Sequence, residues 1–114
     1  MKNIQVEVLD TYTIMRLSGQ YTGGTETDDL VVQFEKVLAQ NQPRLVVDFE
    51  NTSYLSSILI GILVRMHAKF SEKDGLLIFC SLNTTLRNVL KMTKVDTVLY
   101  ITNTFDEAIE RITR

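Results

Sequence analysis

Two adjacent serines, Ser56 and Ser57, stand at the mouth of the longest apolar run in the chain, Ile58–Val64, which is interrupted only by Gly61. A serine at a helix start satisfies orphan backbone N–H groups with its hydroxyl. A phosphate placed there meets the same donors and the positive end of the helix dipole. The pair therefore allows two readings. Ser57 is a plain helix cap, or it is the acceptor of a phosphate group, with Ser56 as the fallback acceptor.

The other reactive side chains are sparse. His67 is the sole histidine, and Leu63, Phe70 and Ser71 occupy the helical spacings where a second metal ligand would stand. Cys80 closes an apolar strand and is expected to pack in the core, with no histidine at a spacing suited to nucleophilic chemistry. Gly23 and Gly24 lack the Lys-Ser/Thr of a phosphate-binding loop, so a flexible loop is the simpler reading. Arg87, Lys91 and Lys94 fall on one helical face and read as a solvated surface. No acid–base pair, metal set or phosphate loop emerges, so no catalytic residue, metal or cofactor is expected, and the chain is not read as an enzyme.

The elements that must position the serines follow from periodicity. Leu45, Val46 and Val47 form a continuous apolar run, as in a strand covered on both faces. Glu50–Ser53 is a polar break that reads as a loop, and Ser57–Phe70 reads as the helix after it. Its residues are apolar nearly all round, so the helix is either deeply buried, which is the default, or turns one side, holding Ile58 and Ile62, to a partner. Upstream, Ile4, Val6 and Val8 alternate with polar residues, giving a strand with one wet face, and Tyr12–Leu17 is the second arm of a hairpin. Ser18–Thr27 reads as a loop, and Leu30, Phe34, Val37 and Leu38 recur at helical spacing until Asn41 and Pro43. Downstream, Leu76–Cys80 is a strand, Asn83 caps a third helix, Val98–Ile101 is the last strand, and Thr104 with Glu107 forms a capping box for a closing helix. Strands alternating with helices after an initial hairpin give an α/β fold of order β-β-α-β-α-β-α-β-α, with a mixed, mostly parallel sheet of four to five strands and about four helices.

At 114 residues the length fits a single domain, 1–114. A net charge of −2 argues against a general nucleic-acid binder. A single cysteine fits a reducing compartment, and no apolar run approaches the roughly 20 residues that span a bilayer. A cytoplasmic location is expected, with no nucleic acid and no membrane insertion.

The stretch Asp48–Gly61 resembles the signature of the STAS domain family, which includes bacterial anti-sigma-factor antagonists and the cytoplasmic tails of sulfate transporters. The family pattern is a strand ending in Asp, a short loop, an aromatic–aliphatic pair, then Asp-Ser-Ser-Gly-Leu-Gly. Here the pair is Tyr54–Leu55, followed by Ser56-Ser57-Ile58-Leu59-Ile60-Gly61. The segment LRNVLKMTKVDTVLYITNTFDEAI is similar to the family's last elements, and the order of elements matches over essentially the whole chain. The resemblance implies a STAS-like fold and an anti-sigma-factor antagonist. It implies that a partner anti-sigma factor, itself a serine kinase that brings its own ATP, phosphorylates Ser57 and binds only the unphosphorylated form. The implied docking surface is the N-terminus of the second helix, with Thr22, Ser56, Ser57, Ile58 and Ile62. Ser56 stands where the pattern has Asp, Ile58 where it has Ser, Leu59 where it has Gly, and Thr22 where the preceding loop often has Asp. Those exchanges make the helix start more apolar and less acidic. The alternative is a phosphorylation-independent STAS scaffold or transporter-associated subunit, in a homo-oligomer or a larger signalling assembly.

Overall fold

The computed structural model describes residues 3–114. Strands β1 (Ile4–Val8) and β2 (Thr13–Tyr21) lead into helix α1 (Thr25–Leu38). Then come β3 (Arg44–Leu55), α2 (Ser57–Glu72), β4 (Leu76–Cys80), α3 (Thr84–Met92), a 3-10 turn at Val95–Thr97, β5 (Tyr100–Thr102) and α4 (Phe105–Ile112). The element order and the mixed, mostly parallel sheet are those read from the sequence. The strands lie in chain order, β1-β2-β3-β4-β5, with β1 antiparallel to β2 and every later pair parallel.

Sequential order fixes the layers. Right-handed crossovers between neighbouring parallel strands all pass over the same face of the sheet. The side chains divide accordingly. Leu45, Val47 and Phe49 of β3 and Leu77 and Phe79 of β4 join Leu30 and Phe34 of α1, Leu59, Leu63 and Met66 of α2, and Leu86 and Leu90 of α3 in one core. Val46, Ile78 and Cys80 point the other way and are covered by Ala108 and Ile112 of α4. The unbroken apolar runs of β3 and β4 are thus explained by cover on both faces. Two cations fasten helix ends. Arg44 donates from Nε and Nη2 to the Ile112 carbonyl at 3.0 and 2.8 Å, and Lys73 donates to the Leu38 carbonyl. Each meets a carbonyl that the last turn of a helix leaves without an intrahelical donor.

The strand boundaries depart from expectation in an instructive way. The polar stretch Glu50–Ser53 is strand, not loop, and Ser18–Tyr21 belongs to β2. Beyond Asp48, which pairs with Cys80, β4 ends and β3 continues with β2 as its partner through Tyr21↔Leu55. A two-stranded extension is wet on more of its surface, so polar residues suit it. Two register shifts insert extra β3 residues, between Arg16/Ser18 and between Gly19/Gln20, and Gly19 takes φ +93° there. The last strand starts two residues later than read, because Val95–Thr97 winds into a 3-10 turn. Lys94 adopts a left-handed φ of 60° after the end of α3, so it does not share the helical face of Arg87 and Lys91. In β1 only Ile4 of the three alternating residues is buried, because β1 is a sheet edge whose contacts run mainly to β2.

Gly75 closes the turn between α2 and β4. A Cβ there would lie 2.3 Å from the Pro43 carbonyl oxygen and 3.0 Å from that of Phe70. Both are backbone atoms that cannot swing aside, and the Gly75 and Leu76 N–H groups donate to these same carbonyls at 2.8 Å. Gly75→Ala is expected to cost about 1–3 kcal/mol, the scale of an overpacked site, read as a lower urea midpoint at unchanged m-value.

Candidate functional site

The C-terminal ends of β2 and β3 feed α1 and α2, so parallel pairing of these neighbours sets two helix starts at the same end of the sheet. One bond locks the arrangement. The Ser56 N–H donates to the Tyr21 carbonyl at 2.9 Å, tying the end of β3 to the end of β2. Thr22 follows directly and is exposed. Gly23 then takes φ +102°, and its N–H donates to the buried Thr27 hydroxyl at 3.0 Å. The Gly23–Gly24 loop is therefore held by α1, and its missing side chain admits Ile58. A Cβ on Gly23 would lie 3.0 Å from Ile58 Cδ1.

The two serines take different places. Ser56, buried and in extended backbone, is the N-cap of α2, and its Oγ accepts from the Leu59 N–H at 3.1 Å. Ser57 is the first helical residue and is exposed. The structure therefore assigns the cap to Ser56, where the sequence reading had placed it on Ser57. In helix geometry the N–H groups of the first turn have no intrahelical acceptor, and Ser56 Oγ satisfies one of them. No acidic residue lies in that turn.

Beside Ser57, Ile58 is 59% exposed. Ile62, assigned to the same patch, is only 8% exposed and packs in the core. The reason is rotation: at about 100° per residue, one step of four residues turns the side chain by about 40°. That carries position 62 from the rim into the buried arc of Leu59, Leu63, Met66 and Phe70. The face that continues from Ser57 and Ile58 is Gly61 and Arg65, both exposed. Tyr54, 48% exposed at the same end of β3, is an apolar surface residue that the patch reading missed. Its signal was the alternation with Leu55: if one is buried the other points outward.

Beneath this surface, Tyr21 is buried and its hydroxyl donates to the Asn3 carbonyl at 2.9 Å. Burial, with a smaller contribution from Glu26, pushes its pKa up to about 12. Cys80 is buried on the opposite side of the sheet and its thiol is pushed up to about 12, again mainly by burial. His67 stacks edge-on against Tyr100, ring centroids 5.2 Å apart. Among the described residues no group of three or more His, Cys, Asp or Glu is placed to hold a metal ion. No helix of the described residues is long and apolar enough to cross a membrane.

The sequence profile described as the STAS domain matches residues 3–108. Solved structures share the fold across nearly all of the chain. An anti-sigma factor antagonist from Mycobacterium paratuberculosis is 22% identical, with a TM-score of 0.85, covering 97% of this chain and 93% of that one. The Bacillus cell-fate determinant SpoIIAA in its phosphorylated form is 18% identical, with a TM-score of 0.71, covering 96% and 98%. The anti-sigma factor antagonist SpoIIAA in its unphosphorylated form is 18% identical, with a TM-score of 0.77, covering 96% of each. At these identities the likeness is one of fold.

Two outcomes follow from the geometry. Ser56→Ala removes the cap and is expected to cost about 1 kcal/mol, while Ser57→Ala stays within about 0.5 kcal/mol, both read from urea midpoints at pH 7. Alkaline stability follows from Tyr21 and Cys80. Their unfolded-state pKa values lie near the ordinary 10.0 and 9.0, and both are raised to about 12 in the folded chain. Between those values the folded state holds more protons, so these groups' contribution is complete below about pH 9 and falls as pH rises toward about 12. Tyr21→Phe should be less stable at pH 7, for loss of the bond to Asn3, yet show a shallower alkaline decline in urea midpoint.

Proposed function

The chain belongs to the STAS domain family, and from that premise we propose that it is an anti-sigma-factor antagonist that docks through the start of α2 and is switched by phosphorylation of Ser57. The observation that carries the reading is the exposure of Ser57 as the first residue of α2, next to exposed Ile58. The relative SpoIIAA, described as an anti-sigma factor antagonist, has been captured in phosphorylated and unphosphorylated forms. The partner is an anti-sigma factor with serine kinase activity, which supplies the ATP.

The chemistry of the switch is electrostatic. A phosphoserine adds close to two negative charges at neutral pH. At the first helical position these charges sit well with the helix dipole and the unpaired N–H groups, so the fold tolerates them. A partner resting on Ile58, Thr22 and the cap region must instead desolvate them, and binding is lost. Ile62 and Ser56 are both 8% exposed, and the Ser56 hydroxyl is engaged with the Leu59 N–H, so burial reduces the proposed contact set to Thr22, Ser57 and Ile58, with Tyr54 at its margin, and leaves Ser56 no role as a fallback acceptor.

Incubation with the cognate kinase and ATP, followed by peptide mass spectrometry, should place the phosphate on Ser57, and Ser57→Ala should abolish labelling. Ser57→Asp should weaken binding to the partner at least tenfold by calorimetry. The same change should leave the chain as stable as the parent or more stable by about 0.3–1 kcal/mol, since a negative charge in the first turn suits the dipole. Labelling of Ser57→Ala at the parent rate, at another site, removes the switch. A second reading, a phosphorylation-independent scaffold, is favoured by Ser56, Ile58 and Leu59 standing where the family pattern has Asp, Ser and Gly. Under it, Ser57→Asp binds the partner as tightly as the parent.

A further inference from the structure

Strand β1 carries an unguarded edge. Natural sheet edges are usually blunted by Pro, by Lys, by a bulge or by being very short. The opposite edge follows that practice, since β5 has three residues. β1 reads IQVEV over five residues, without Pro or a cation, and its register with β2 runs unbroken from Ile4↔Leu17 to Val8↔Thr13. Gln5 to Val8 are all exposed, with Val6 at 41% and Val8 at 67%.

The phase of the ladder says which backbone groups are free. The Ser18 N–H donates to the Asn3 carbonyl at 3.0 Å, and the Leu9 N–H donates to the Tyr12 carbonyl at 2.9 Å. In an antiparallel pair, hydrogen-bonded positions alternate. Asn3, Gln5, Glu7 and Leu9 therefore turn their N–H and C=O toward β2, and Ile4, Val6 and Val8 turn theirs outward. The residues with free backbone groups are the three apolar ones. Their side chains share the sheet face of their β2 partners Leu17, Met15 and Thr13, all buried.

We infer that β1 is a homodimerisation edge, pairing antiparallel with β1 of a second copy about a two-fold axis at Val6. In that register Val6 faces Val6 of the partner copy, and Ile4 faces Val8 on either side of the axis. All six outward donors and acceptors are matched, because every facing pair lies in the hydrogen-bonded phase. Apolar meets apolar on one sheet face. On the other, Gln5 faces Glu7 of the second copy, so an amide donor meets a carboxylate, and the two Glu7 side chains become diagonal neighbours across the axis. Glu7 also accepts from Arg16 Nη1 at 3.2 Å within its own chain, which offsets its charge at the edge. This self-complementarity in hydrogen bonding and apolarity at one register, with each Glu7 charge offset by Arg16 of its own chain, is what makes a second copy of this chain the occupant that fits. An isologous contact of this kind closes on itself and stops at two chains. The proposal uses the sheet edge and stands apart from the docking reading of α2.

The ladder phase supplies a clean test. Val6→Pro removes an outward N–H and no bond to β2, the one setting in which a strand tolerates proline. Sedimentation equilibrium from micromolar to millimolar chain should show the parent passing from one to two chains. Val6→Pro and Val8→Lys should stay monomeric, and circular dichroism should match the parent. If Val6→Pro fails to fold, Val8→Lys decides alone, since that side chain is largely in water. Amide exchange gives a second readout. At millimolar concentration the Ile4, Val6 and Val8 amides should gain protection over the dilute sample, while Gln5 and Glu7 should not change. A parent that remains monomeric at millimolar concentration overturns the inference and leaves the edge to a strand from another protein. Dimers that persist in both variants, or protection that fails to alternate, overturn it equally.

Discussion

The parallel pairing of β2 with β3 is the constraint on which the candidate site depends. It runs past the end of β4, so the two strands project together beyond the rest of the sheet. Two extra residues in β3 are absorbed by register shifts rather than by breaking the ladder. The pair ends at Tyr21 and Leu55, and the Ser56 N–H bond to the Tyr21 carbonyl adds one rung beyond it. Because α2 starts directly after the end of β3, its first turn is set by strand register, while α1 follows β2 across the short Thr22–Gly24 loop that the Gly23 N–H bond to Thr27 holds. A surface built on element ends holds its geometry better than one built on a loop.

Under the proposed switch, this arrangement separates two jobs that one serine could not perform together. A capping hydroxyl is engaged with a backbone N–H and is screened from solvent, and Ser56 is in that state. A hydroxyl that is to receive a phosphate must be reachable, and Ser57 is exposed. Adding charge at the first helical position does not compete with the cap, since Leu59 keeps its acceptor. The helix tolerates the dianion through its dipole while an apposed protein would have to strip water from it. A modification can then alter association with little effect on the fold that carries it.

The remaining fastenings are made away from that end. Arg44 and Lys73 bind carbonyls at the C-terminal ends of α4 and α1. The exposed ion pairs, Arg16–Glu7, Lys69–Glu35 and Arg114–Glu110, are 3.2–3.5 Å long and solvent-screened, and such pairs contribute little each. The apolar core on both faces of β3 and β4 does most of the holding, and exposed apolar side chains are left at the end of β3 (Tyr54), the start of α2 (Ile58), the end of α3 (Met92) and the edge of β1 (Val6 and Val8). Those are the places where a second protein has something to gain by binding.

The order of elements, the doubly covered strands and the capping box at Thr104 and Glu107 were legible in the sequence, because they rest on local periodicity and on pairs three residues apart. So was the family signature around Ser57, which is contiguous. What the sequence left open required partners distant along the chain. The Glu50–Ser53 segment reads as a loop by composition and is held as strand by β2, roughly thirty residues earlier. Ile58 and Ile62 are alike in type and share a side by simple spacing, yet one lies at the rim and the other in the core, a distinction set by where α2 lies on the sheet. The choice of Ser56 over Ser57 as cap depended on where β3 ends, and the Tyr21 carbonyl helps to fix that end. Val6 and Val8 alternate like core residues but are exposed, because the sheet stops at β1 and no helix covers its edge. Local pattern decides which residues can be buried, and only the assembled sheet decides which of them are.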